Sequence, residues 1–162
     1  FQYSIQVIDI LNLGFTGLVA IAVPLFIKHF IESRNKITTL VTVELSKYKD
    51  VLESAHSKFG ECYLNDAISR KEKLELIKYS EMLDSKYYIV SKLVESSCGE
   101  VSMDKVSQVK TCQIGYWKII TGKEIEAKDI DKISYRSYEM ELSVYNDFSQ
   151  SIIELELSLL KE

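Results

Sequence analysis

Proline and glycine are scarce in this chain, which has one proline, Pro24, and six glycines among 162 residues. Tight turns depend heavily on these two residue types, so a chain with so few of them makes few turns. A sheet of many short strands needs a turn after every strand and is therefore disfavoured. The scarcity predicts long helices joined by a small number of loops.

The chain also has few metal-binding side chains and a small net charge. The three cysteines are an odd number without close spacing, so we expect reduced thiols packed in a core. Glu53 and His56 form one Glu-x-x-His pair, but a di-iron bundle needs a second pair, and the only other histidine is His29. A net charge of −4 does not indicate nucleic-acid binding. We expect no metal, no cofactor and no nucleic-acid partner.

Enzyme motifs are missing too. The Gly-Lys step within residues 121–124 lacks the spacing of a phosphate-binding loop. The sequence has no Gly-x-Ser-x-Gly, and no histidine is placed to activate a serine or cysteine nucleophile. The sequence therefore predicts a protein that is not an enzyme and works by assembly.

What the chain does contain is one long uncharged run, Ile10–Ile27. As a helix it spans about 27 Å, close to the hydrocarbon thickness of a bilayer. Gly14, Gly17 and Pro24 would weaken a buried soluble helix, but a transmembrane helix tolerates them. No positive charge precedes the run, which argues against a secretory signal. We predict a single transmembrane helix with its flanks in residues 1–30.

The charges beside this run predict its orientation. Only Asp9 lies just upstream, and four basic or titratable residues follow: Lys28, His29, Arg34 and Lys36. Positive residues stay on the cytoplasmic side of a membrane. We expect a single-pass protein of the cell (inner) membrane, with its N-terminus outside and a cytoplasmic helical domain in residues 31–162.

Polar and small residues share one side of the predicted span. On a helical wheel this side carries Asp9, Asn12, Thr16, Gly17, Ala20 and Pro24, with leucine and phenylalanine opposite. Polar groups in hydrocarbon are costly unless they face protein or water, and small residues let helices approach closely. This pattern predicts a helix–helix contact or a pore face. The alternative is that Asp9 lies among the headgroups and one asparagine is tolerated.

Beyond the span, apolar residues recur at alternating intervals of four and three, the pattern of a bundle or coiled-coil seam. The interaction seam on the first helix comprises Val41, Leu45, Tyr48, Leu52 and Phe59. Three more helices are expected, from the capping-box sequence at Ser69 to before Gly99, from after Ser102 to Gly122, and from about Asp129 onward. Short loops between them predict an all-α, antiparallel helical bundle.

Three stretches keep a strand interpretation open. Residues 36–45 are rich in β-branched side chains, residues 153–159 alternate apolar with polar, and residues 118–130 fit a short hairpin. The heptad spacing persists for longer than either alternation, so we expect helices.

Ten tyrosines and a single tryptophan indicate a further surface. Tyrosine needs a partner for its hydroxyl and is common at core edges and interfaces. We predict a partner or ligand surface around Tyr116, Trp117, Arg70, Lys71 and Lys73; the alternative is an ordinary polar bundle edge.

These features together predict a membrane-anchored, non-enzymatic helical assembly or scaffold protein. It would oligomerise, or recruit a membrane-complex partner, at the cytoplasmic face. The alternative is an oligomeric membrane effector or pore, of the toxin or phage-defence type, gated by its cytoplasmic domain. That alternative is an analogy of architecture only.

Overall fold

The computed structural model describes residues 2–65, 68–96, 100–122 and 132–161, with side chains from residue 22 onward except at 30, 34, 100 and 101. Within these ranges the chain forms four helices and no strand. The helices are α1 (Gln2–Leu64), α2 (Arg70–Glu95), α3 (Glu100–Ile120) and α4 (Tyr135–Leu159). The prediction of an all-helical bundle is confirmed.

The strand interpretations are wrong wherever the structure tests them. Residues 36–45 lie in α1, residues 153–159 lie in α4, and residues 118–120 end α3; residues 123–130 lie outside the described residues. In the first stretch Val41 and Leu45 are fully buried, four residues apart on one helix face. Burial along this face overrides the local β preference of the branched side chains.

The chain divides into two compact units, Phe1–Ile37 and Thr38–Glu162. In the first unit the described side chains at residues 22–29 are all exposed, and these include Pro24, which lies inside the helix. The rest of the predicted membrane face, Asp9, Asn12, Thr16, Gly17 and Ala20, lies outside the described side chains. Among the described residues, no helix combines the length and the apolar composition that a bilayer span requires.

The second unit is a bundle whose core follows the predicted seams. On α1 the five seam residues and Ala55 and Cys62 are at most 1% exposed. The other helices bury one face each: Leu76, Ser80, Leu83, Val90 and Val94 on α2; Val106, Val109, Gln113, Tyr116 and Ile120 on α3; Glu141, Phe148, Ile152, Leu155 and Leu159 on α4. The seam residues are therefore covered by helices of the same chain.

Neighbouring helices run antiparallel. Lys86 on α2 binds Glu44 near the start of the bundle part of α1, with 3.1 Å between Nζ and Oε2. Lys58, almost four turns further along α1, binds Glu75 near the start of α2 at 3.0 Å. Rising residue numbers on one helix therefore meet falling numbers on the other, as the short connection at residues 65–69 requires.

The helices α3 and α4 pack closely against each other. Small residues allow this approach, because interaxial distance depends on the side chains at the contact. The buried hydroxyls of Ser102 and Ser158 lie 3.2 Å apart across the pair. Further along, a Cβ atom placed on Gly115 would lie 3.6 Å from Cγ1 of Val144.

Local sequence signals fix the helix ends. Ser69 caps α2, and Ser69 and Glu72 complete the predicted capping box. Gly122 follows the last turn of α3. A Cβ atom at position 122 would lie only 2.2 Å from the carbonyl oxygen of Lys118, so any residue other than glycine would require the backbone to shift. Ser134 caps α4, which starts at Tyr135, because this side chain accepts a hydrogen bond from the Ser137 amide. The predicted start at Asp129 lies outside the described residues.

Candidate functional site

Three aromatic rings occupy the middle of the bundle core. Tyr48 on α1, Tyr116 on α3 and Phe148 on α4 are all fully buried. The Phe148 ring packs edge-on against Tyr48 and tilted against Tyr116, with ring centroids 5.6 and 5.9 Å apart. A buried tyrosine needs a partner for its hydroxyl. Each of the two tyrosines finds that partner in a different polar cluster, and these two clusters form the candidate site.

The first cluster, the glutamate cluster, surrounds a fully buried carboxylate on α4. Tyr116 donates its hydroxyl proton to Oε1 of Glu141 at 2.8 Å. Nδ1 of His56 lies 3.0 and 2.9 Å from the two carboxylate oxygens, and the His56 ring stacks on Tyr145 with centroids 4.0 Å apart. Three helices thus contribute to the surroundings of one acidic group.

Burial gives this carboxylate unusual acid–base behaviour. It raises the pKa of Glu141 above its ordinary value, and the contacts from His56 and Tyr116 offset only part of that rise. Removing a carboxylate from water penalises its charged form, whereas hydrogen-bond donors favour it. The glutamate cluster therefore takes up a proton more readily than an exposed glutamate does.

The second cluster, the aspartate cluster, connects the same core to the surface between α2 and α3. Tyr48 donates to Oε1 of Gln113 at 2.7 Å, and Nε2 of Gln113 donates to Oδ1 of Asp84 at 3.0 Å. Nζ of Lys110 donates to the same Asp84 oxygen at 2.7 Å. The Lys110 contact holds the pKa of Asp84 below its ordinary value. This carboxylate therefore stays ionised.

The aspartate cluster forms the floor of a cleft of about 290 Å³ between α2 and α3. Its lining consists of Ser80, Glu81, Asp84, Lys110, Gln113, Ile114 and Trp117. Trp117, the single tryptophan of the chain, is 50% exposed in this lining. The volume lies just below the usual range for small-molecule pockets, so the cleft suits a small group.

The residues of the predicted partner surface lie in different parts of the bundle and differ in burial. Tyr116 is not a surface residue, because it is fully buried and its hydroxyl is bound to Glu141; this corrects the prediction. Trp117 is exposed in the cleft. Arg70 and Lys71 are exposed in the first turn of α2, about three turns before the α2 residues of the cleft. Lys73, in the same turn, is half-buried.

The interaction seam needs a similar correction. Val41, Leu45, Tyr48, Leu52 and Phe59 are buried within the bundle of this chain, so they offer no free surface to a partner. The 4,3 spacing predicts that one face of a helix is buried. It does not show whether the helices that cover this face belong to the same chain or to another chain.

The metal-binding residue types are dispersed. Glu53 is exposed, while His56 turns inward and contacts Glu141, so the two residues of the Glu-x-x-His pair lie in different environments. Among the described residues, no cluster of histidine, cysteine and acidic side chains is arranged to hold a metal ion. Cys62 is buried, and burial raises the pKa of its thiol to about 11. Cys112 is also a free thiol, and Cys98 lies outside the described residues.

The sequence analysis missed Glu141 as a core residue, although a signal was present. Glu141 precedes Phe148 by seven positions and so continues the spacing of the α4 seam through Tyr145. A search restricted to apolar residues passes over a glutamate in such a position. A charged residue at a seam position, with a histidine available on another helix, is the pattern that would have found it.

Comparisons with protein-family models, with curated proteins and with solved structures find no match to this chain.

Proposed function

We propose that this chain is a membrane-anchored, non-enzymatic helical assembly protein, which recruits a partner or further copies of itself at the cytoplasmic face of the cell membrane. The observation that carries the proposal is the exposed apolar stretch in the first unit. Its members are Val23, Leu25, Phe26, Ile27 and Ile31, which are 48%, 61%, 72%, 50% and 50% exposed.

The geometry of a helix explains why this stretch supports membrane insertion. Consecutive residues point 100° apart, so Leu25, Phe26 and Ile27 together face most directions around the axis. One neighbouring helix covers only one side. A helix that is apolar all round is typical of a hydrocarbon environment. The stretch also continues the uncharged sequence that begins at Ile10.

The bundle supports a role in assembly by a different argument. Its apolar seams are closed within the chain, so folding of the bundle does not require a second copy. Contacts with other chains are then assigned to surfaces outside the seam. In the sequence these are the one-sided polar pattern of Asn12 and Thr16 in the predicted span, and the exposed residues of the bundle.

The test is alkaline extraction of membranes that contain the whole chain. Val19→Lys with Ala22→Lys puts two charges at the middle of the predicted span, at about 3 kcal/mol each. We expect the native chain to stay in the membrane pellet and this variant to move to the soluble fraction. The matched control is Leu40→Lys with Val43→Lys, which has the same spacing on α1 and replaces side chains that are 48% and 44% exposed in the bundle.

The control variant should stay in the pellet with the native chain. Release of the native chain by alkali, or equal behaviour of the two variants, would contradict the anchoring proposal. A reporter domain fused after residue 162 tests orientation. We expect green fluorescence from a cytoplasmic reporter and no activity from a reporter that requires export.

An oligomeric pore is the second candidate, because the predicted span gathers its polar residues on one side. Asn12→Leu with Thr16→Leu removes those polar groups. If the pore exists, membrane permeability caused by the native chain falls in this variant; unchanged permeability would exclude it.

A further inference from the structure

We propose that the cleft between α2 and α3 is a binding site for an organic cation, an alkylammonium or guanidinium group on a short apolar stem. The cleft belongs to the bundle and its residues are described independently of the membrane segment. The inference therefore goes beyond the proposed membrane anchoring and does not depend on it.

The charges of the cleft favour a cation over an anion. The lining carries two carboxylates, Glu81 and Asp84, against one ammonium, Lys110, so one negative charge is left. The Lys110 ammonium is already engaged, because it donates to Asp84 and lies 4.5 Å from the centre of the Tyr87 ring. An anion would have to displace Asp84 from it.

Glu81 is the group that is open to a ligand. Its side chain is exposed, and within the described part of the chain no hydrogen bond or ion pair involves its carboxylate. Asp84 accepts both of its hydrogen bonds through Oδ1, so Oδ2 also has capacity to accept. An ammonium or guanidinium group supplies the donors that these oxygens can use.

Trp117 adds a second kind of recognition. The indole ring is the strongest partner for a cation among the aromatic side chains. Trp117 and Ile114 both line the cleft, and they are 50% and 43% exposed. The indole face can take the charged head, and the isoleucine can take methylene groups of the stem.

The floor of the cleft is fixed before a ligand arrives. Gln113 is 5% exposed and is held on both sides, by the buried Tyr48 hydroxyl and by Asp84. Asp84 is also held by Lys110. Groups that are already ordered lose little conformational entropy on binding, which favours affinity.

Trp117 provides its own assay, since it is the single tryptophan of the chain. The whole chain in a nonionic detergent is titrated with N-acetyl-lysine methylamide, which represents a protein side chain, and separately with spermidine, a free polyamine. We expect a saturable change in Trp117 emission with a dissociation constant of about 1 mM or lower. If the two probes bind with similar affinities, the site recognises a single ammonium group, such as a lysine side chain of a partner protein. If spermidine binds at least about tenfold more tightly, the site recognises a polyamine.

Variants decide whether the cleft is responsible. Glu81→Gln should weaken binding of both probes about fivefold by removing the open carboxylate. Asp147→Asn is the matched control: it removes the same charge from an exposed position on α4 that does not line the cleft, and it should bind as the native chain does. Absence of a saturable change with both probes, equal binding by Glu81→Gln and the native chain, or an equal response to inorganic phosphate would overturn the proposal.

Discussion

Both polar clusters of the bundle link a core tyrosine to a carboxylate, but the pKa of the carboxyl group is shifted in opposite directions in the two clusters. In each, the hydroxyl of a core tyrosine leads to a carboxylate, directly from Tyr116 to Glu141 and through Gln113 from Tyr48 to Asp84. Glu141 is fully buried, and burial raises its pKa; Asp84 lies at the surface, and Lys110 lowers its pKa. Burial in one cluster and the contact with Lys110 in the other therefore shift the pKa values of the two carboxyl groups in opposite directions.

The difference separates two roles within one core. The glutamate cluster makes the stability of the bundle depend on pH, because its carboxylate loses hydration on folding. The aspartate cluster keeps a charged group at a fixed position in an open cleft. Both are joined through Phe148, which touches both tyrosine rings.

Removing Phe148 should break both clusters and have the largest effect. Its side chain is fully buried between the two tyrosines, so Phe148→Ala leaves a cavity and frees both rings to move. We expect the free energy of unfolding to fall by about 3–5 kcal/mol. Urea unfolding followed by Trp117 emission measures it. Phe26→Ala, at a position that is 72% exposed in the first unit, is the control and should leave this transition unchanged.

The next largest effect is expected from His56→Ala, which affects the glutamate cluster alone. Loss of the imidazole leaves the buried Glu141 carboxylate with Tyr116 as its partner in the cluster, at a cost of about 3 kcal/mol near pH 7. His56 lowers the pKa of Glu141, so its removal raises that pKa further above the ordinary value of 4.5.

The sign of the resulting pH dependence follows from proton binding. The folded variant holds the Glu141 proton more tightly than the unfolded chain does. Its free energy of unfolding therefore rises as pH falls from 7 toward 4.5, and declines as pH rises through the folded-state pKa. The comparison is with His56→Ala/Glu141→Gln, which has no titrating group at this position. A difference between the two that grows in the opposite direction would refute a raised pKa.

A matched pair of substitutions compares the clusters directly. Tyr116→Phe removes a donor to a carboxylate and should cost about 2 kcal/mol, whereas Tyr48→Phe removes a donor to a neutral amide and should cost about 1 kcal/mol. Both tyrosines are fully buried and both substitutions keep the aromatic ring, so the two costs report the loss of the hydroxyl group. Urea unfolding of both variants tests the order. Equal or reversed costs would mean that the charge of the acceptor does not matter.

The smallest effect belongs to the aspartate cluster. Asp84→Asn should reduce stability by less than about 1 kcal/mol, because the Asp84 side chain is 66% exposed and its ion pair with Lys110 is screened. The lowered pKa means that this contribution is present above the ordinary value of 3.8 and is lost as pH falls through the folded-state pKa, opposite in sign to Glu141. Unfolding at low and high salt should show the small effect shrinking with salt.

The sequence predicted the helices and most of the core, because burial on one helix face leaves a 4,3 spacing that needs no knowledge of the partner helices. On α2 the apolar spacing alone would place Tyr79 in the core, but Tyr79 is half-buried and the buried positions beside it are Leu76 and Ser80. A tyrosine can pack its ring at the edge of the core. Ser80 can be buried because its hydroxyl donates a hydrogen bond to the Ile77 carbonyl oxygen. An apolar pattern does not register a serine that is paired within its own helix.

The candidate site was much harder to predict. Glu141 and His56 are 85 positions apart, and their contact depends on the relative rotation of α1 and α4. The pairing of Asp84 with Lys110 depends in the same way on α2 and α3. Periodicity within a helix does not contain this information. Trp117 is exposed whereas the adjacent Tyr116 is buried in the core, since neighbouring helical positions differ by 100°.

The central proposal is that the bundle closes within one chain and that copies of the chain assemble through the proposed membrane segment. The most direct test is the molar mass of the detergent-solubilised whole chain, by light scattering with correction for bound detergent, for the native protein and for Asn12→Leu/Thr16→Leu. We expect the native protein to be an oligomer and the variant to be a monomer. Trp117 emission and the urea unfolding transition should be the same in both proteins. A native monomer, or an oligomer of unchanged size that separates only when the bundle unfolds, would contradict it.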